Sequence, residues 1–196
     1  MQETHGVFLA RMQPVHNAHL YLVNKALDEN GKVLVVLGSE NKIDTHRNPY
    51  GIALRKKMFR ECLTDDQNAR LSIMTLPDWS TEDAAQDDQI WGMYFYFNVV
   101  ARICAKKFSL YFSDDEKLLY RWFSGTPAMG NVTFRHFERQ SVFDGLSATR
   151  IRQALIDGDR ECIARFCPEP VQRRFDELAE YYRRVEADPK PDLPMA

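Results

Sequence analysis

The sequence has few features that would cross-link a fold or place it in a membrane. It contains four cysteines with no Cys-x-x-Cys pair and no histidine at zinc-ligand spacing from them, which indicates reduced thiols. It has no run of about 18 apolar residues that could span a bilayer, and its first residues lack the basic and apolar regions of a signal peptide. We therefore expect a cytoplasmic protein with no membrane contact.

The charge balance shows no excess of positive residues. Lys and Arg number 26 against 28 Asp and Glu, a formal net charge of -2, so the chain as a whole does not attract nucleic acid. Any anionic ligand must be bound by local basic residues. The length of 196 residues suits one compact domain, which we assign to residues 1–186. Residues 187–196 contain three prolines and little apolar mass, which predicts a flexible tail.

Short apolar runs bounded by turn residues predict five β-strands, at residues 7–10, 33–37, 71–76, 108–112 and 132–137. Segments with helical spacing lie between them, at residues 20–27, 53–63, 90–103 and 115–123. This alternation predicts an α/β fold, a Rossmann-like doubly wound parallel sheet of about five strands. Helices follow at the C-terminal end, the longest beginning at Pro168. Ligands of such sheets bind beyond the carboxyl ends of the strands.

The first predicted strand continues through a tight loop at residues 11–15 into a helix that carries two histidines, His16 and His19. A helix N-terminus has free N–H groups and partial positive charge, and Arg11 adds a guanidinium suited to phosphate oxygens. The pattern therefore indicates a phosphate site. Taken alone, the two histidines also fit a helix cap and a packed residue. As zinc ligands they are incomplete, because no Asp, Glu or Cys adjoins them.

The run Arg-Met-Gln-Pro-Val-His-Asn-Ala-His at residues 11–19 resembles the Arg-Met-Gln-Pro-x-His-x-Gly-His signature of the archaeal-type nicotinamide mononucleotide adenylyltransferases. These belong to the wider HxGH nucleotidyltransferase superfamily. The resemblance implies that His16 and His19 are catalytic residues in contact with the triphosphate, and that Arg11 binds phosphate. Ala18 departs from the signature, which has glycine at this position. A glycine lets the nucleotide approach the backbone closely, and the added methyl group of alanine could hinder that approach.

A second motif opens a late helix, Gly-Leu-Ser-Ala-Thr-Arg-Ile-Arg at residues 145–152. Ser147 is a suitable N-cap, and Arg150 and Arg152 lie near a helix end where a cation costs a few tenths to about 1 kcal/mol, so a bound anion would explain them. The stretch resembles the second signature of the superfamily, Ser-(Ser/Gly/Ala)-Thr-x-x-Arg. The resemblance implies that Ser147 and Thr149 bind the nucleotide phosphates and that Arg152 is a catalytic residue for the departing pyrophosphate.

Residues between the motifs resemble the same adenylyltransferases. Arg47 opens an Arg-x-Pro-aromatic pattern, which makes it the candidate for the acceptor's phosphate, although an exposed loop arginine would look the same. Trp91 matches a tryptophan that stacks on nicotinamide in the family, and Asp88 stands where asparagine is usual. An indole face favours a pyridinium cation by about 0.5 to 2 kcal/mol, while the alternative is a tryptophan packed in the core. Ser113 and Asp114 match a loop that contacts adenosine.

The resemblance implies a transfer of AMP from ATP to nicotinamide mononucleotide (NMN), giving NAD and pyrophosphate, with Mg²⁺ as cofactor and a homo-oligomeric assembly. A phosphate monoester is mostly dianionic at neutral pH, so the reaction needs alignment and positive charge more than a base.

Three alternatives to this activity stay open: a cytidylyltransferase for a polyol or amino-alcohol phosphate, an adenylyltransferase for pantetheine phosphate, and a nucleotide sensor without catalysis. A fragment of a class I tRNA synthetase is disfavoured by the acidic balance and the lack of an RNA-binding extension.

Overall fold

The computed structural model describes residues 4–78, 84–113 and 116–191. Strands and helices alternate along most of this length and give way to helices after the fifth strand. In chain order the elements are β1 His5–Ala10, α1 Asn17–Glu29, β2 Lys32–Leu37, α2 Ile52–Glu61, α3 Asp65–Arg70, β3 Leu71–Thr75, α4 Ala84–Ile103, β4 Phe108–Phe112, α5 Glu116–Phe123, β5 Val132–His136, α6 Arg139–Phe143, α7 Ala148–Asp157, α8 Arg160–Phe166, α9 Glu169–Gln172 and α10 Phe175–Ala187.

The five strands form one sheet in the order β3-β2-β1-β4-β5. Every neighbouring pair is parallel, with Val7 opposite Leu34 on one side and Leu110 on the other. The predicted doubly wound parallel sheet is therefore confirmed. The strand order reverses beside β1, because β2 lies on one side of it and β4 on the other. That reversal opens a crevice at the carboxyl ends of β1 and β4, the usual ligand position in such sheets.

Two hydrophobic clusters cover the two faces of the sheet. Alternate residues of β1 point to opposite faces, so Phe8 joins one cluster and Val7 the other. The Phe8 cluster is covered by α1, α2 and the C-terminal helices, and the Val7 cluster by α4 and α5. The helices α4 and α5 approach closely at Gly92, where a Cβ atom would overlap the carbonyl of Trp122. These packed faces leave the strand ends as the place for a cavity.

The C-terminal helices differ from the prediction in one respect. The helix expected to run on from Pro168 is divided, because α9 ends at Gln172 and α10 begins at Phe175. The residues between them, Arg173 and Arg174, both bind the carboxylate of Glu61 at the end of α2, with nitrogen–oxygen distances of 2.7 and 2.9 Å. Apolar side chains are buried on both sides of the break, namely Val171 before it and Phe175, Leu178, Tyr182 and Val185 after it.

Three short helices, α3, α6 and α8, were not predicted. Each is seven residues or shorter, too short for an apolar periodicity to stand out. A capping box in which Thr64 and Gln67 exchange hydrogen bonds starts α3, and the Asp159 carboxylate caps α8 by accepting from the Cys162 N–H at 2.9 Å. Local side-chain bonds therefore help to define the starts of α3 and α8.

The chain beyond α10 returns to the loop that follows β2. The Lys190 N–H donates to the Asp44 carbonyl at 2.7 Å, and the Lys190 ammonium contacts the Asp44 carboxylate at 2.5 Å. The division into a domain at residues 1–186 and a flexible tail at 187–196 stays a prediction, and residues 192–196 lie outside the described residues. Within the described ranges, no helix has both the length and the hydropathy needed to cross a membrane.

Candidate active site

A cavity of about 390 Å³ lies at the carboxyl ends of β1 and β4. It is lined by the segment that follows β1, the start of α1, one residue of the loop after β2, the end of β4, and the starts of α6 and α7. Eight of the sequence-predicted site residues line it: Arg11, His16, His19, Arg47, Ser113, Ser147, Thr149 and Arg152. The structure therefore brings the two motifs together.

The two histidines stack against each other at the start of α1. His16 is the N-cap residue and is buried, and its ring lies parallel to that of His19 with the ring centroids 3.7 Å apart. The His16 backbone N–H donates to Nδ1 of His19 at 3.3 Å. Because Nδ1 accepts this bond, the proton of a neutral His19 ring is on Nε2. His19 is thereby fixed as a hydrogen-bond donor through Nε2.

Both imidazoles are uncharged at neutral pH. Burial, and to a smaller extent the positive charge of Arg139, together lower the pKa of His16 from 6.5 to about 3. The pKa of His19 is also held well below 6.5, first by burial and then by the neighbouring His16 and Arg139. A buried ring with several cationic neighbours loses its proton easily. The histidines therefore offer neutral donors to an anion, and the positive charge comes from arginines.

The loop after β1 is held by a buried arginine from α2. Arg55 is fully buried and donates to three carbonyl oxygens, those of Arg11 and Gly38 at 2.8 Å and of Ser39 at 2.9 Å. Its guanidinium thus joins the chain just beyond β1 to the chain just beyond β2. The sequence places Arg55 on a helix but gives no sign that it is buried, because an arginine without an acidic partner usually predicts an exposed position.

Gln13 joins the same loop to the residue before α2. Its side-chain amide donates to the Tyr50 carbonyl at 3.0 Å and accepts from the Tyr50 N–H at 2.9 Å. Both residues are buried. The phosphate-binding loop after β1 is therefore fixed relative to the segment that carries Arg47.

Arg152 connects the two motifs directly. Its side chain is buried and donates to the Gln13 carbonyl at 2.9 Å and to the Thr149 hydroxyl at 3.2 Å. Ser147 is the N-cap of α7, and its hydroxyl accepts from the Arg150 N–H at 3.3 Å. The Arg150 side chain turns away, donates to the Asp144 carbonyl at 3.0 Å, and does not line the cavity. The argument that a bound anion explains an arginine at this helix end therefore applies to Arg152 only.

Arg139, the first residue of α6, lines the cavity and was missed by the sequence reasoning. The signal that could have found it is a basic residue shortly before the second motif, but α6 is too short for its orientation to be predicted. With Arg11, Arg47 and Arg152 it makes four arginines around one cavity among the described residues, and the described lining residues include no carboxylate. Such a charge distribution favours a polyanion such as a triphosphate.

Two predicted site residues within the described part of the chain, Asp88 and Trp91, do not line this cavity. The Asp88 carboxylate pairs with the Arg121 guanidinium at 2.6 Å. Trp91 packs edge-on against Trp122, with ring centroids 6.0 Å apart, and joins the hydrophobic cluster under α4 and α5. The acceptor contacts assigned to Asp88 and Trp91 stay a prediction without support from this geometry. Asp114 lies outside the described residues.

The described residues of the cavity offer little to hold a metal by themselves. Among residues 4–78, 84–113 and 116–191 no group of three His, Cys, Asp or Glu side chains is placed to bind a metal ion. The cavity's donors are neutral imidazoles, hydroxyls and guanidiniums, and divalent cations such as Mg²⁺ prefer oxygen ligands with negative charge. A divalent cation in this cavity fits best as a complex with the phosphates of a nucleotide.

A family model and several known enzymes of related activity match this chain over most of its length. The cytidylyltransferase-like family model matches residues 7–154. The nicotinamide-nucleotide adenylyltransferase of Thermococcus kodakarensis is 27% identical over 158 residues, which cover 79% of this chain and 73% of that protein. The enzyme of the same name from Aeropyrum pernix is 28% identical over 91% of this chain and 95% of its own length. The nicotinamide/nicotinic acid mononucleotide adenylyltransferase of Acinetobacter baylyi is 27% identical over 78% of this chain and 75% of its own.

Solved structures share the fold at lower identity. A bifunctional NMN adenylyltransferase/ADP ribose pyrophosphatase from Francisella tularensis, complexed with AMP and a manganese ion, superposes with a TM-score of 0.70 at 17% identity. The match covers 95% of this chain and 53% of that one, so this chain spans about half of the bifunctional protein. The nicotinic acid mononucleotide adenylyltransferase of Plasmodium falciparum complexed with NaAD superposes with a TM-score of 0.53 at 14% identity.

Proposed function

The chain belongs to the cytidylyltransferase-like family, and from that membership we propose that it is an adenylyltransferase that joins AMP from ATP to NMN, giving NAD and pyrophosphate. The observation that carries the proposal is the meeting of both motifs in one arginine-lined cavity, where Arg152 of the second motif bonds the backbone of the first. Similarity to several enzymes named nicotinamide-nucleotide adenylyltransferase supports the choice of acceptor. We further propose a cytoplasmic homo-oligomer.

The triphosphate of ATP would lie across the starts of α1 and α7. Backbone N–H groups at these helix starts, the Ser147 and Thr149 hydroxyls and the Nε2–H of His19 are donors for its oxygens. Arg152 would take the β and γ phosphates, where charge accumulates as pyrophosphate leaves. Since Arg152 is already fixed by Gln13 and Thr149, it needs no reorganisation during the reaction.

The acceptor would enter from the side of Arg47. Its 5′-phosphate oxygen attacks the α-phosphorus of ATP in line, a bond forms between them, and the bond from the α-phosphorus to the bridging oxygen of pyrophosphate breaks. No proton must be removed, because the phosphate monoester is already ionised. Mg²⁺ enters as part of the MgATP substrate and neutralises charge on the phosphates.

The adenosine end of ATP is assigned to the residues that follow β4 in the sequence. We propose that Ser113 and Asp114 contact adenosine, since Ser113 lines the cavity. Asp88 and Trp91 are proposed acceptor residues on the family resemblance alone, and the contact would require them to act from outside the cavity described above.

Pyrophosphate release tests the proposal. We would measure it with Mg²⁺ for ATP and CTP, each against NMN, nicotinate mononucleotide, pantetheine phosphate and a polyol phosphate. Release with ATP and NMN is the expected result. Release only with CTP or only with another acceptor would contradict the assigned reaction, and nucleotide binding without release from any pair would contradict an enzyme.

A pair of variants tests the site. Arg152→Ala should lower kcat by about 100- to 1000-fold, the usual loss when a charge-stabilising donor is removed, and His19→Ala should lower it in the same way. Arg150→Ala is the matched control, because Arg150 lies on the same helix but points away from the cavity. Near-normal turnover in Arg152→Ala, or an equal loss in Arg150→Ala, would show that this cavity is not the active site.

A further inference from the structure

The loop that carries Arg47 is held from outside the cavity by the C-terminal helix. This segment, residues 39–50, which we call the Arg47 loop, has no regular secondary structure. Loops of this kind are usually the least rigid part of a domain. Arg47 is nevertheless one of the four arginines of the cavity, so its position depends on what fixes the loop.

Two ion pairs join the Arg47 loop to α10 and the residues after it. The His46 imidazole contacts the Glu186 carboxylate with Nδ1 and Oε1 2.6 Å apart. The Asp44 carboxylate accepts from the Tyr181 hydroxyl at 2.7 Å and contacts the Lys190 ammonium at 2.5 Å. Asp44 and His46 are two residues apart in the loop, so these contacts join it at two points to α10 and the residues after it.

The same helix reaches the other end of the cavity. Tyr182 lies under Arg152, with the guanidinium carbon 5.6 Å from the ring centroid. The pKa of Glu186 is lowered first by its bond to His46, and further by a bond from the Tyr182 hydroxyl and by the charge of Arg152. One continuous line of contacts therefore runs from Arg152 through Tyr182 and Glu186 to His46, the residue next to Arg47.

These contacts are poorly placed to stabilise the fold. The side chains of His46 and Glu186 are 58% and 37% exposed, and ion pairs in water at the surface contribute little to stability. The buried stripe of α10 already fixes the helix to the core. The contacts between α10 and the Arg47 loop therefore have more effect on where the loop lies than on whether the protein folds.

We propose that α10 is a positioning element for the acceptor phosphate, because its contacts fix the place of Arg47 relative to Arg152. Glu186 acts through its contact with His46. Tyr181 and Lys190 act through their contacts with Asp44. Glu186 and Tyr181 are positioning residues, since neither lines the cavity. This inference rests on the proposed function for one point, the role of Arg47 in binding the acceptor. It predicts that substitutions of these residues weaken binding of the acceptor and leave binding of the nucleotide unchanged.

The kinetic test uses Glu186→Ala, with Glu186→Gln as the conservative variant and Glu180→Ala as the control. Glu180 is exposed on the same helix. We expect KM for NMN to rise about tenfold in Glu186→Ala, within the range known for misplaced binding groups, with KM for ATP and kcat nearly unchanged. Glu186→Gln should recover part of the loss, because its oxygen can still accept from His46. An equal rise in both KM values, or the same change in Glu180→Ala, would overturn the proposal.

A double-mutant cycle shows whether the effect passes through Arg47. If it does, adding Glu186→Ala to an Arg47→Ala background should change KM for NMN no further, because the two changes remove the same interaction. A full additional rise in that background would overturn the proposal.

Amide hydrogen exchange separates this inference from the proposed function, because it needs no substrate. Residues 41–50 should exchange about five- to tenfold faster in Glu186→Ala and in Tyr181→Phe than in the unmodified protein or Glu180→Ala. Unchanged exchange would overturn the positioning role even if NMN is the acceptor. Faster exchange in these variants, together with no activity on NMN, would support the positioning role of α10 and overturn the proposed function.

Discussion

Moderate acid should destabilise the protein through the two motif histidines. Both are neutral in the folded chain at neutral pH, because burial and nearby positive charge lower the pKa of His16 to about 3 and that of His19 in the same direction. In the unfolded chain a histidine has its ordinary pKa of 6.5. Below that value the unfolded state takes up protons that the folded state does not, so the free energy of unfolding falls as the pH falls.

The size of the effect follows from the two pKa values of His16. From about pH 7.5 to about pH 5.5, protonation stabilises the unfolded state by about 1.4 kcal/mol for one histidine that stays neutral when folded. His19, whose pKa is also lowered, adds to the loss in the same direction. The carboxylates of Glu61 and Glu186, whose pKa values are lowered in the folded state from 4.5, lose their stabilising effect only below that value. The interval above about pH 5.5 therefore isolates the histidines.

Urea unfolding at constant ionic strength measures this directly. The matched variant is His16→Asn, because asparagine is a preferred N-cap residue and should preserve the start of α1. Its pH dependence over the same interval should be smaller by about 1.4 kcal/mol. If the unmodified protein shows no loss between these pH values, or if His16→Asn loses as much as it does, the histidines are protonated in the folded state and the neutral-donor argument fails.

Three further outcomes are expected. Arg55→Met should lower the free energy of unfolding by about 3 kcal/mol or more in urea, because three carbonyl oxygens lose their buried donor; a change near zero would mean that water replaces it. Ala18→Gly should lower KM for ATP and cost about 0.5 to 1 kcal/mol of stability, since the buried Ala18 methyl lines the cavity; a higher KM would contradict the steric argument. EDTA should abolish pyrophosphate release without lowering Tm, with Mg²⁺ or Mn²⁺ restoring release, and a lower Tm would indicate a resident metal.

The sequence was sufficient for the sheet because burial on both faces produces continuous apolar runs. The strand β2 is the clearest case, with residues 33–37 all buried and all apolar. The short helices were not predictable in the same way. Helix α6 has one buried residue, Phe143, and the side chain that matters there is Arg139, whose direction depends on how the chain leaves β5.

The part of the site built from contiguous motifs was also predictable, because a motif fixes its own local geometry. His16 and His19 are three residues apart on one helix, and Ser147, Thr149 and Arg152 share the first turns of another, so each set must point one way. What the motifs do not contain is the framework between them. The hydrogen bond from Arg152 to Gln13 joins residues 139 positions apart, and nothing local in either segment predicts it.

The match of Trp91 to the family motif did not predict the direction of its side chain. Its direction is set by the rotation of α4 about its own axis, and that rotation is fixed by the close approach of α5 at Gly92, where any side chain would overlap Trp122. Once α4 is fixed this way, Trp91 packs edge-on against the ring of Trp122, and Asp88, three residues earlier on the same face, pairs with Arg121 of α5. The pair of residues that the sequence offered as an acceptor site is thus engaged in one helix–helix contact. Of the three proposed acceptor residues, Arg47 is the one that lines the cavity, so the proposed effect of α10 on Arg47 is the most direct test of how the acceptor is bound.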